Sequence, residues 1–177
     1  MASLYGFGAF GVGNDSDTSL GQISFRPAQG GNTFHLTPAI NMNPTILVGD
    51  SDRKTADGRL LAGETAEITV ATDGDTSIYI QGTDYLSDIG DFSKVNLYAE
   101  NPALTVQSKR LQKLKVGDEV ADNVTTILKD LSILDCPSLS EVDARNVNTL
   151  TGTVDLSQCP RLKKALFGGT NVGIISL

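Results

Sequence analysis

Few side chains in this sequence can do covalent or metal chemistry. There is one histidine, His35, in Thr33-Phe-His-Leu, and there are two cysteines, Cys136 and Cys159. A nucleophile–base pair needs a histidine beside Ser or Cys and an orienting acid, and a lone histidine reads instead as a strand or surface residue. The two cysteines allow a disulfide, a metal pair, a redox couple or a structural ladder. Both precede a proline at corresponding places in a repeat, and the pattern holds no further His or Cys to complete a zinc site. The ladder is therefore preferred: two small buried side chains in adjacent coils, near each other at the β spacing and unbonded.

The remaining motifs reduce to turns. Asp15-Ser-Asp17, Asp50-Ser-Asp52 and Asp73-Gly-Asp75 resemble fragments of calcium loops, but none continues with a third ligand, a glycine and a bidentate glutamate at proper spacing. Gly6-x-Gly8-x-x-Gly11 matches a dinucleotide-binding loop by letter. That site needs a strand before it, a helix after it and an acid about 20 residues on, and this context has none of them. No catalytic residue, metal or cofactor is expected, and the protein reads as non-enzymatic.

What must position any function is a chain of 177 residues with 40 % hydrophobic and 20 % charged side chains, enough for one good core or two small ones. Its 21 acids outnumber its 14 bases, a net charge of −7, which argues against a nucleic-acid partner that would need a basic face. No apolar run approaches the roughly 20 residues of a membrane-spanning helix. The first cationic residue is Arg26 and the early apolar residues are broken by glycines, so no secretory signal is expected.

Charge and glycine are unevenly spread. Residues 1–108 carry 13 acids and 5 bases, whereas residues 109–177 carry 8 acids and 9 bases. Seven of the 18 glycines fall in the first 31 positions. Such a segment has a high ordering entropy and no periodic apolar face, so residues 1–58 read as an extended, irregular arm ordered only by a partner. Tyr5, Phe7 and Phe10 are its candidate partner anchors. Beyond it, Glu67-Ile-Thr-Val-Ala-Thr and Ser77-Ile-Tyr-Ile-Gln both alternate, with Asp73-Gly-Asp-Thr between them. This predicts a hairpin with strands near 66–72 and 77–81, within a small β unit spanning 59–91.

Residues 92–177 contain a repeat. Leu128-x-x-Leu131-x-Ile133-x-x-Cys136-Pro137-x-Leu139 fits the leucine-rich pattern, and Thr151-x-x-Val154-x-Leu156-x-x-Cys159-Pro160-x-Leu162 fits it 23 residues later. A looser copy upstream places Val95, Leu97, Asn101, Pro102 and Leu104 in the same roles. Asn101, Cys136 and Cys159 are thus the structural repeat positions. A second triplet follows each: Leu111, Leu114 and Val116; Leu139, Val142 and Ala144; Leu162, Ala165 and Phe167. Two short strands per coil predict a short β-solenoid whose stacked coils bury each other's apolar rows. Adding one period to Thr151 and Val154 reaches Ile174 and Leu177, so a further coil beyond 177, or a covering subunit, is expected. Lys109, Arg110, Lys113 and Lys115 alternate with Leu111 and Leu114 and read as a solvated basic face, or as a contact for an acidic partner surface.

The Leu-x-x-Leu-x-Ile-x-x-Cys-Pro-x-Leu pattern, with Gly63-Glu-Thr-Ala-Glu-Ile-Thr-Val before it, resembles the leucine-rich-repeat proteins of Bacteroidetes bacteria and of their crAss-like phages, over about residues 60–177. The resemblance implies a virion structural protein of the tail- or head-appendage type, made in the host cytoplasm. Its arm would hold other virion proteins, its repeats would face a host surface receptor, and it would be a homo-oligomer. The alternative is a bacterial cell-surface adhesin. The expected fold is mainly β: an irregular amino-terminal arm, a small hairpin unit and a leucine-rich-repeat solenoid.

Overall fold

The computed structural model describes residues 20–42, 45–48, 52–55, 60–72 and 76–177. Among the described residues strands far outnumber helical turns, so the protein is mainly β, built there from several small sheets with no closed barrel. The strands of the first half are β1 (Gln22–Phe25), β2 (Gly30–Pro38), β3 (Thr45–Val48), β4 (Asp52–Thr55), β5 (Ala66–Thr72), β6 (Ile78–Gln81) and β7 (Leu86–Asp88). Those of the second half are β8 (Ala103–Gln107), β9 (Lys113–Lys115), β10 (Asp130–Leu134), β11 (Glu141–Asp143), β12 (Thr151–Asp155), β13 (Lys164–Leu166) and β14 (Asn171–Ser176).

One sheet has the order β10-β8-β1-β6-β3-β4, and only its β8–β10 pair is parallel. Period-two alternation turns Ile23, Phe25, Ile46, Ile78, Ile80, Leu104, Val106, Leu131 and Ile133 inward, and all are buried. A second sheet, β5-β2-β7, buries Phe34, Leu36, Ile68, Val70 and Leu86. The two layers meet at Phe25, whose ring lies edge-on to Phe34 at 5.5 Å and to Phe92 at 5.3 Å.

This architecture corrects two expectations. Residues 22–55 contain four strands where an irregular arm was expected. Three of these strands are only four residues long, and their partners are distant: β1 pairs with β6 and β8, at Ile23–Ile80 and Ile23–Val106. Local glycine content cannot reveal pairing at that separation. Residues 1–19, with Tyr5, Phe7 and Phe10, lie outside the described residues. The strands at 66–72 and 78–81 fall where expected but form no hairpin. β5 pairs with β2, whereas β6 pairs with β1 and β3. Each strand's apolar face belongs to a different layer, so sequence neighbours are divided between two sheets.

The second half stacks in parallel tiers. β9, β11 and β13 form a parallel sheet in which Leu114 aligns with Val142 and Val142 with Ala165, as the second-triplet spacing predicts. β12 and β14 form a parallel pair, and Thr151 N–H donates to Lys129 C=O at 3.1 Å, tying β12 to the segment before β10. Gln112 N–H donates to Ser87 C=O at 3.2 Å, so the β9 sheet continues the layer that contains β7. The first and second tiers are β8–β9 and β10–β11, and the third is β12–β13.

Two registers differ from expectation. Leu131 and Ile133 align with Leu104 and Val106, not with Val95 and Leu97. Val154 aligns with Ile175, two residues short of Leu177, because this tier is shorter than the period: Thr151 already meets Asn171 rather than Ile174, and the register shift at Gly152/Thr153 recovers only one residue. The larger sheet crosses the expected boundaries at 59 and 92, since β1 is hydrogen-bonded between β6 and β8.

Candidate functional site

The repeat cysteines occupy equivalent places in successive tiers. Cys136 is fully buried, Cys159 is nearly so, and both are free thiols. Each stands three residues before the leucine whose N–H closes the turn onto its carbonyl: Leu139 N–H donates to Cys136 C=O at 3.1 Å and Leu162 N–H to Cys159 C=O at 3.0 Å. Cys136 Sγ lies 3.4 Å from Leu134 C=O and 3.7 Å from Val106 C=O, as a weak donor would. Burial pushes the Cys136 thiol up to about 12, and burial also raises that of Cys159. The thiolate, which is the nucleophile and the metal ligand, is thereby suppressed at neutral pH.

Asn101 is not on this ladder. It lies exposed in the turn before β8, and Ala103 N–H donates to its carbonyl at 2.9 Å. The first-tier counterpart of Cys136 is Ser108, fully buried and three residues before Leu111. Its hydroxyl donates to Thr83 C=O at 2.6 Å and accepts from Leu111 N–H at 3.3 Å. The second tier has one residue more than the first at this point, and Asp135 takes it up in a left-handed conformation at φ 46°. Counting back three from each leucine would have found Ser108. Matching Asn or Cys by letter could not.

Polar side chains lace the tiers together. Asn146, at φ 60°, donates from Nδ2 to Asp118 C=O at 2.9 Å and to Glu119 C=O at 3.2 Å. Asn171 Nδ2 donates to Asn148 C=O one tier earlier. Lys115 Nζ contacts Asp91 Oδ2 at 2.7 Å and Asp118 Oδ2 at 2.8 Å. Arg145 grips Asp143 in a bidentate pair at 3.0 and 2.7 Å, and Lys164 meets Glu141 at 2.8 Å. The hydrogen bonds that Lys115 donates to Asp118 and Asp91 raise its pKa to about 12, and the same bond holds Asp118 well below the usual carboxylate range. Burial pushes Asp91 and Asp143 upward, but their hydrogen bonds from Lys115 and Ser93 and from Arg145 outweigh it and hold both low. Lys164 does the same for Glu141 and the Ser157 N–H for Asp155. A general acid at neutral pH needs the opposite displacement.

His35 faces Glu67 across the β2–β5 pair at 3.5 Å, with both side chains substantially exposed. The Asp50-Ser-Asp52 and Asp73-Gly-Asp75 turns fall largely or wholly outside the described residues, as does Asp15-Ser-Asp17. Among the described residues no three His, Cys, Asp or Glu side chains are placed to hold a metal ion. No helix of the described residues is long and apolar enough to cross a membrane. Compared with protein-family models, curated proteins and solved structures, the chain matches none.

Proposed function

We propose that this protein is a non-enzymatic structural component of a bacteriophage particle, a tail or head appendage whose repeats form a short leucine-rich-repeat solenoid. The observation that carries the reading is the parallel alignment of Leu114, Val142 and Ala165, with the Ser108, Cys136 and Cys159 turns beside it. Repeating units that bury one another's apolar rows make a rigid, extensible body suited to presentation. The Lys115, Arg145 and Lys164 ion pairs support it too, since each joins a carboxylate of its own or the neighbouring tier. The amino-terminal segment, with Tyr5, Phe7 and Phe10 as apolar anchors, attaches the body to other virion proteins. The tiers then face a host surface receptor, in several copies. The resemblance to proteins of crAss-like phages supports a particle assembled in the bacterial cytoplasm.

Immunogold labelling with antibodies raised against the tiers tests this. Gold at a fixed position on purified particles is the expected result. Label confined to the bacterial envelope, with bare particles, would overturn it and select the cell-surface adhesin.

A further inference from the structure

A groove of about 710 Å³ crosses all three tiers on the side where the chain enters β9, β11 and β13, and six polar residues line it: Arg110, Gln112, Ser138, Ser140, Arg161 and Lys163. They fall into two columns fixed by the sheet register. Arg110, Ser138 and Arg161 hold one relative place in successive tiers, and Gln112, Ser140 and Lys163 hold the next but one. Gln112 C=O accepts from Ser140 N–H and Ser140 Oγ, both at 2.9 Å, and Ser140 C=O accepts from Lys163 N–H at 2.9 Å, so the columns are rigid at the backbone.

The charge here is unusual for a molecule of net charge −7. Lys109, Lys115, Arg145 and Lys164 are each neutralised by a carboxylate. Among the described residues no carboxylate lies within ion-pair distance of Arg110, Arg161 or Lys163. Three uncompensated cations around one concavity focus a positive potential on it.

From this we infer that the groove binds an acidic oligosaccharide laid across the tiers. Arg110 and Arg161 stand two strand spacings apart, about 10 Å, and each offers a planar fork to a carboxylate or sulfate. Between them lie neutral hydrogen-bonding groups, the Ser138 and Ser140 hydroxyls and the Gln112 amide. Ser140 Oγ spends its proton on Gln112 C=O and keeps lone pairs to accept from a sugar hydroxyl. Alternating cations and neutral donors and acceptors match a chain of hydroxyl-rich units carrying acid groups. Among the described residues the lining has no aromatic side chain on which a nucleobase could stack, which disfavours a single-stranded nucleic acid. The groove also crosses the strands, so a peptide in it could add to no sheet edge. The groove binds such a chain whether or not the protein is carried on a particle.

The test is titration of the full chain at low salt, followed by amide chemical shifts, with three probes: tetragalacturonate, the neutral maltotetraose and a short single-stranded oligodeoxynucleotide. Tetragalacturonate should shift the amides around Ser138 and Ser140 and bind more weakly as salt rises. Maltotetraose should bind at least about tenfold more weakly, and Arg110→Ala/Arg161→Ala should lose a similar factor for the uronate. Lys109→Ala, whose cation is held by Asp84, should leave the affinity unchanged. Lys163→Gln, on an exposed side chain, provides a second lesion should the double variant misfold. No uronate binding, equal binding of maltotetraose, undiminished affinity in a folded groove variant, or tighter binding of the oligonucleotide would each overturn the assignment.

Discussion

Cys136 can be tested by its proton. Burial lifts the folded thiol from the ordinary 9.0 to about 12, so between those values the unfolded chain releases a proton that the folded chain keeps. Stability should therefore fall as pH rises through that window. Lys115, lifted from 10.5 to about 12, adds a loss that begins only above 10.5. Urea unfolding between pH 9 and 10.5 should accordingly show a declining midpoint in the parent and a flatter one in Cys136→Ala, whatever the variant's absolute stability. Equal slopes would mean that the thiol is not the group responsible. At the acid end the depressed Asp118, Asp91 and Asp143 contribute stability above their ordinary 3.8, which is lost as pH falls through their lower folded values.

Gly117 makes a second prediction at the same scale. A Cβ there would lie 2.2 Å from Arg145 C=O and 2.4 Å from Ala144 C, both backbone atoms of the next tier. The close approach lets Val116 N–H and Gly117 N–H both donate to Asp143 C=O, at 2.8 and 2.9 Å. Gly117→Ala must push the tiers apart, at a cost of about 3 kcal/mol by analogy with overpacked cores. Thermal unfolding of the variant at the parent's midpoint would expose a misjudged contact. Single residues were unevenly legible. A Cys-Pro pair repeated 23 residues apart announces itself, whereas Gly117, Ser108 and Arg161 look ordinary until the register sets each beside its neighbour.

At the level of elements, sequence carried strand existence better than strand partnership. The alternation in 66–72 and 78–81 places both strands, because period two depends only on local residues and one buried face. Pairing depends on which layer that face joins, and Ile68 and Val70 join Phe34 while Ile78 and Ile80 join Ile23. The same division explains β1, β3 and β4: four-residue strands carry too little periodicity to outweigh the glycines around them, and the longer β2 itself opens on Gly30-Gly31. In the second half the repeat supplied the missing long-range information, since residues at equal phase must stack. The Leu114, Val142 and Ala165 row was therefore readable, and its failures occur where the spacing changes. β14 is one such place. Opposite the buried Val154 stands Ile175 at 41 % exposure, with Ile174 at 62 % and Leu177 at 84 %. Among the described residues no strand pairs with the outer side of β14, and an apolar unpaired edge invites a second copy. Sedimentation should show mass rising with concentration in the parent and a lower mass in Ile174→Lys/Ile175→Lys. A parent that stays monomeric throughout would show that the edge is protected.

For the whole molecule the decisive feature is that β1, from the glycine-rich first third, lies between β6 and the first tier strand β8. Its Phe25 ring touches Phe34 of the second layer and Phe92 of the turn leading to β8, so one side chain joins the two layers to the approach to the tiers. Phe25→Ala should cost about 3–5 kcal/mol, a large share of the roughly 5–15 kcal/mol that stabilises a domain. If the tiers were an independent unit, that loss would stay in β1, β6 and β2. Because β1 hydrogen-bonds β8 at Ile23–Val106 and Phe25–Leu104, and β8 in turn holds β10, the loss should instead reach the tiers. Native-state hydrogen exchange distinguishes the two cases, since amides that open together share one free energy. The expected outcome is faster exchange in 103–107 and 130–134 of Phe25→Ala, by the same factor as in 22–25. Unchanged protection in 130–134 beside a collapse in 22–25 would divide the protein in two, with the first half an attachment rather than the end on which the tiers are built.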